Sequence, residues 1–387
     1  MRSPPLAPEF LTLAEIVAQD AACRAAPAAL AEMVAAVSDW PRLEAGARRH
    51  RIVAPVARAL AALPAGAVPP GTLARLSAQA RAQAVSALAQ QAELGRLVGM
   101  FAAAEVPVLV VKGLALSRRL HGVIHHRGVG DMDLLVDPGQ FARAHDLLVG
   151  AGYVRQDNGL TTPPPNRLLP HFMEVVYVRA PGHVVELHLA LHHSPAPPQW
   201  AFAALWDRRG QVTLDGMIWP VLGEDDLFPY LVAHGARHCW DRLCWLGDVA
   251  TLIRTASDPE ALWRRCHHLG FGRAADHLRA LLAWWWGLSS AEAVPPRLQW
   301  FVWAFFSRSR WLDRPGRGRW AWVVLELRCR RWRLHLDGGW RHLPLAWRRF
   351  WREPADLGVL PLPAGLSWLY PALRPLGWVL RNFVRRR

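Results

Sequence analysis

Two aspartates two residues apart carry the densest chemical signal in the chain. They stand in Asp131-Met132-Asp133-Leu134-Leu135-Val136. A β-strand alternates its side chains between faces, so Asp131 and Asp133 share one face, their Cα atoms about 6–7 Å apart. Met132, Leu134 and Val136 take the other face and can pack on helices. Carboxylates are the hard oxygen donors that Mg²⁺ takes. Two ions held about 3.5–4 Å apart clamp the attacking and leaving oxygens of an in-line phosphoryl displacement. Two acids solvating the edge of an ordinary sheet would give the same short pattern, so its context decides. A second strand, Val184-Val185-Glu186-Leu187-His188-Leu189, repeats the alternation. Val185, Leu187 and Leu189 face a core, while Glu186 and His188 share the opposite face. Glu186 would bring a third carboxylate, as a metal ligand or as the base for an acceptor hydroxyl. Three carboxylates on adjoining strands repel unless a cation sits among them.

Lys112 is the only lysine among 46 basic side chains; all the others are arginine. Chance persistence would explain it. So would a place that needs a compact ammonium and rejects a planar guanidinium. Its position favours the second explanation. Lys112-Gly113 ends the β-branched run Val106-Pro107-Val108-Leu109-Val110-Val111, and the C-terminal ends of strands are where α/β sheets bind ligands. Gly113 lets a phosphate approach the backbone, and the helix after it offers unpaired N–H groups. Lys112 and Arg127 would each contact a triphosphate oxygen and stabilise charge on departing pyrophosphate. For Arg127 the alternative is a salt bridge to an Asp.

Imidazoles are the third group. His234 and His238 lie four apart on a predicted helix and share a face. With Asp248 they could bind a metal or a nucleotide base. A zinc hydrolase needs three protein ligands and an open position, and no His-Glu-x-x-His motif occurs. The expectation is therefore that His234, His238 and Asp248, with His188, form a wall of the site. His125 and His126 precede Arg127 in a polar loop.

These side chains need a small sheet to hold them and helices to cover it. Strands are predicted over 106–111, 131–136, 172–179 and 184–189, the last two as a hairpin turning at Gly182. Helical spacing runs through residues 1–95, including a long helix over 71–104 rich in Ala, Leu, Gln and Arg. Further helices are predicted over 114–120, 141–148, 227–238 and 243–255. The expected fold class is α+β: a small mixed, palm-like sheet flanked by N- and C-terminal helical regions. The expected divisions are 1–95 helical, 96–222 the α/β core, 223–295 helical and packed on the core, and 296–387 basic and helical.

At these positions the chain resembles a known group. Val110-Val111-Lys112-Gly113-Leu114-Ala115-Leu116, Arg127 and Gly130-Asp131-Met132-Asp133-Leu134-Leu135-Val136 look like uncharacterised bacterial nucleotidyltransferases of the DNA polymerase β-like superfamily. Ala47 to Pro55, Val185-Glu186-Leu187-His188, and the segment from Glu224 to Asp248 resemble the same group. The resemblance implies a divalent ion, Mg²⁺ or Mn²⁺, held by Asp131 and Asp133 with Glu186 as third acid. It implies transfer of a nucleoside monophosphate from an NTP, with release of pyrophosphate. The acceptor would be a hydroxyl on a peptide, protein, sugar or small molecule. Two departures stand out. Leu114 follows Gly113 where the superfamily usually has Ser or Gly, and the step from Gly113 to Asp131 is long. Phosphate binding would then fall to Lys112 and Arg127. A non-catalytic nucleotide- or peptide-binding module on the same scaffold is the alternative.

Composition sets the outer bounds. With 387 residues, 52% hydrophobic and 20% charged, the chain is globular rather than disordered. Its N-terminus lacks a signal-type apolar run, and no 18-residue stretch is apolar enough to span a bilayer. Five scattered cysteines suit unpaired thiols and a cytoplasmic location. The net charge of +15 is concentrated at one end: residues 297–387 hold 19 Arg against five acids, and 11 of the 21 Trp. Such a block suits a peripheral place on an anionic membrane surface, or RNA; a helical bundle with a solvated Arg face is the alternative.

Overall fold

The computed structural model describes residues 7–22, 27–128, 130–156, 173–192, 197–286 and 370–380, with isolated positions between 327 and 369. Most of the basic C-terminal block therefore lies outside the described residues. The described elements begin with helices α1 (Pro8–Ala21), α2 (Pro27–Ala35), α3 (Trp40–Arg49), α4 (Val53–Ala61) and α5 (Pro70–Ala103). There follow β1 (Val108–Val110), α6 (Leu114–His121), β2 (Met132–Val136), α7 (Phe141–Gly150), β3 (Val154–Gln156), β4 (Glu174–Arg179) and β5 (His183–His188). Then come α8 (Phe202–Asp207), β6 (Gly210–Leu214), β7 (Met217–Val221), α9 (Glu224–Arg237), α10 (Leu243–Thr255), α11 (Pro259–His268), α12 (Gly272–Trp286) and α13 (Tyr370–Val379).

The chain packs into two compact units, one of residues 1–91, 114–129 and 224–336, the other of 92–113, 130–223 and 337–387. The first is helical. Leu13, Ile16, Val17 and Ala21 recur at helical spacing and are all buried, so α1 turns one apolar stripe inward. It packs against α2, α3, α4 and α10. Capping fixes several helix starts. Asp39 accepts from the Arg42 N–H at the head of α3, and Asp258 from the Ala261 N–H at the head of α11. Glu224, Asp225 and Asp226 crowd the first turn of α9, where the helix dipole favours negative charge.

The second unit is built on a seven-stranded sheet of order β3-β4-β5-β2-β1-β7-β6. It is mixed: β1 runs antiparallel to β2 and parallel to β7, and β2 runs parallel to β5. The pairs β3–β4, β4–β5 and β6–β7 are antiparallel. One face of the central strands is dry. Leu134, Val136, Val185 and Leu187 are each 0% exposed, which is the alternation expected from their sequence positions. The fold is α+β, as its sequence pattern implies.

Three strands go beyond that pattern. Nothing between Pro198 and Glu224 is predicted as a strand, yet β6 and β7 form a hairpin there. Asp215 and Gly216 turn it at φ of 49° and 73°, the positive-φ pair that matches strand twist. Short β3 forms the opposite edge. No described helix is long and apolar enough to cross a membrane. Cys239, Cys244, Cys266 and Cys329 are buried, and none of them forms a disulfide.

Candidate active site

Three strand pairings bring the chemistry together within the sheet unit. Parallel pairing of β2 with β5 sets Asp133 opposite Glu186, and Leu135 opposite His188. Residues opposite each other point the same way, so Asp133, Glu186 and His188 share a face. Antiparallel pairing of β5 with β4 sets Glu174 opposite His188. On the other side of β2, the Val111 N–H donates to the Asp133 carbonyl at 3.0 Å. That bond extends the β1–β2 ladder by one residue and delivers Lys112 beside Asp133. Gly113 follows at φ 72°, a left-handed conformation that glycine adopts without strain. It turns the chain out of the strand and into α6.

The contacts are short. Lys112 Nζ lies 2.9 Å from Asp133 Oδ1 and 4.0 Å from Glu186 Oε2. His188 Nε2 lies 3.0 Å from Asp133 Oδ1 and 3.7 Å from Glu186 Oε2, and its Nδ1 lies 3.5 Å from Glu174 Oε2. Asp133 is 1% exposed. Burial pushes its carboxyl upward, but the Lys112 ammonium and the His188 ring outweigh that and hold it well below the usual carboxylate range. Glu186 moves the other way. Burial, then the charges of Asp133 and Asp131, push it up to about 8 against the pull of Lys112. The site thus holds one firmly ionised acid and one that resists ionisation, the separation expected when like charges lie side by side.

The residues fit a divalent ion. Asp133, Glu186 and His188 present one ligand atom each, all within 4.8 Å of one another. Asp133 Oδ2 is buried without a hydrogen-bond partner, a costly condition that a cation would relieve. Glu174 beside Nδ1 leaves Nε2 of His188 facing the carboxylates, the outer arrangement that metal-bound histidines commonly show.

The sequence-predicted residues distribute as follows. Lys112, Gly113, Asp131, Asp133, Glu186 and His188 all belong to the sheet unit. Asp131 is not among the three grouped ligand atoms, but its charge acts on Glu186. His188, expected as wall, is one of the three grouped side chains that could hold an ion. Glu174 was not anticipated, although the hairpin turning at Gly182 places it opposite His188.

Arg127, His234, His238 and Asp248 belong to the helical unit. Arg127 Nη1 lies 3.1 Å from Asp248 Oδ2, and both side chains are buried. The His234 and His238 rings lie 4.7 Å apart, each against Trp245 at 5.1 and 5.3 Å.

A family model described as an uncharacterised nucleotidyltransferase matches residues 36–287. No curated protein matches the chain.

Proposed function

We propose, since the chain belongs to this nucleotidyltransferase family, that it transfers a nucleoside monophosphate from an NTP to a hydroxyl acceptor. The observation that carries the proposal is the convergence of Asp133, Glu186, His188 and Lys112 on one face of adjoining strands. A non-catalytic module would leave Glu186 free to turn away from Asp133, and their pairing across β2 and β5 argues against that.

A divalent cation bound there would supply the charge that holds the triphosphate and draws the attacking and leaving oxygens together. Asp133 is the ligand best suited to it, because it stays ionised when buried. The two carboxylates supply the oxygen donors that Mg²⁺ and Mn²⁺ take. Lys112, a point charge on a flexible stem, exchanges Asp133 for a phosphate oxygen when the nucleotide arrives. Gly113 lets the backbone lie against that phosphate. In its ionised form, Glu186 accepts the hydroxyl proton at Oε as the acceptor oxygen bonds to the α-phosphorus. The bond from that phosphorus to the bridging oxygen breaks, and pyrophosphate leaves with the electron pair. Asp131 keeps the neighbourhood of Glu186 negative. Arg127 keeps Asp248, so phosphate binding falls to Lys112 and Gly113.

The test uses each labelled NTP with Mg²⁺ or Mn²⁺ and a cell extract as acceptor source. Asp133→Asn preserves volume and removes the charge. It should lower label transfer by about 100-fold or more, the scale of one lost electrostatic contact in a transition state. Equal transfer by both proteins would end the proposal.

A further inference from the structure

The helical unit holds a second group of ligand-type side chains that the chemistry above does not use. Asp20 stands in the last turn of α1, His121 ends α6, and His126 sits in the loop that follows. One ligand atom from each lies within 4.8 Å of the other two. His126 Nε2 lies 2.8 Å from Asp20 Oδ2. The His121 and His126 rings are stacked, centroids 3.6 Å apart and planes within 9°. Asp248 of α10 adds a carboxylate 3.7 Å from His121 Nε2.

Two features set the group apart from a plain polar cluster. The stacked rings of His121 and His126 bring two imidazole nitrogens to one carboxylate. Asp20 is the natural anionic partner. The group is also reachable: the side chains of Asp20, His121 and His126 are 22%, 11% and 10% exposed. A hydrated cation can enter without unfolding a helix.

The donor set identifies the class of ion. Two imidazole nitrogens and one carboxylate oxygen suit a borderline transition metal. Mg²⁺ and Ca²⁺ prefer all-oxygen shells. Three protein ligands also leave a position for water. We propose that Asp20, His121 and His126 bind a Zn²⁺-class ion, with Asp248 as the outer carboxylate that orients His121. The ion would tie α1 to the loop after α6. This site stands independently of the nucleotidyl-transfer reading, since it shares no residue with Asp133, Glu186 and His188.

The test is metal binding by the full chain after stripping with chelator. Co²⁺ should give tetrahedral-type visible bands in wild type and in Asp133→Asn, and lose them in the His121→Gln/His126→Asn double variant. Zn²⁺ should raise the melting temperature of the first two proteins and not of the third. Should the double variant fail to fold, Cu²⁺ bound to Asp133→Asn gives the answer without it. Its electron paramagnetic resonance spectrum should show two nitrogen ligands, whereas the Asp133 site offers a single imidazole. Unchanged cobalt bands in a folded double variant would overturn the proposal. So would their loss in Asp133→Asn, a stripped wild type that takes up no Co²⁺ or Zn²⁺, or a copper spectrum with fewer than two nitrogens.

Discussion

A carboxylate buried like Asp133 keeps its charge only because close partners hold it, and here they are the Lys112 ammonium and the hydrogen-bonding His188 ring. Lys112 reaches both Asp133 and Glu186, a task for a compact charge on a flexible stem. A guanidinium is wider and planar, and would meet the two carboxylates and an incoming phosphate in a different geometry. Lys112→Arg should weaken NTP affinity by about tenfold, which is about 1.4 kcal/mol. Isothermal titration of each NTP would measure it, and unchanged affinity would remove Lys112 from the nucleotide site. In the helical unit, His50 makes a different kind of residue-scale prediction. It is 2% exposed, and its Nδ1 accepts the Leu243 N–H at 3.3 Å. Burial, with the charges of Arg49 and Arg242, lowers it from 6.5 to about 3. Between those values the unfolded chain binds more protons than the folded one, so stability rises with pH across that window and is lost as pH falls through it. His50→Asn keeps an acceptor without a titrating ring. Its denaturation midpoint should fall less steeply than that of wild type between about pH 6.5 and pH 4; identical slopes would refute the assignment.

At the scale of elements, the sheet owes its site to pairings between strands far apart in sequence. β1, β2 and β5 were each legible within a residue or two: Gly113 closes the Val-rich run of β1, and Asp133 and Glu186 alternate with apolar residues in β2 and β5. The β4–β5 hairpin was legible from its turn at Gly182, but the pairings β1–β2 and β2–β5 were not. Alternation assigns a side chain to a face, but not to the strand that will lie beside it, and the same pattern fits a parallel or an antiparallel neighbour. The β6–β7 hairpin carries a readable turn at Asp215-Gly216, yet its strands are short and Pro220 interrupts the second, which weakens the strand pattern. Its junction to α9 is tight. A Cβ on Gly223 would meet the Arg208 carbonyl oxygen at 2.1 Å, and a backbone atom cannot rotate aside. Gly223→Ala should cost about 1–3 kcal/mol, as overpacking does. A urea midpoint equal to that of wild type would show that the junction can shift.

For the whole molecule, charge makes the prediction. The net charge is +15, and residues 297–387 carry nearly all of the excess. The full chain should co-sediment with anionic vesicles at low salt and leave them as the Debye length falls from about 10 Å at 0.1 M to about 3 Å at 1 M. Equal sedimentation with neutral vesicles would show that charge is not the cause. RNA that strips the chain from the vesicles would point to a nucleic acid competing for the same block.

The sequence by itself determined which residue types could do chemistry, which strand faces would be dry, and the α+β class, because all three follow from local alternation and composition. The tertiary structure decided which of those residues meet. Strand register set Asp133 against Glu186 and His188, and a ladder bond one residue beyond β1 brought Lys112 to them. Arg127 and Asp248 instead found each other inside the helical unit. Proximity between distant segments arises from pairing and packing, and those are settled only when the chain closes on itself.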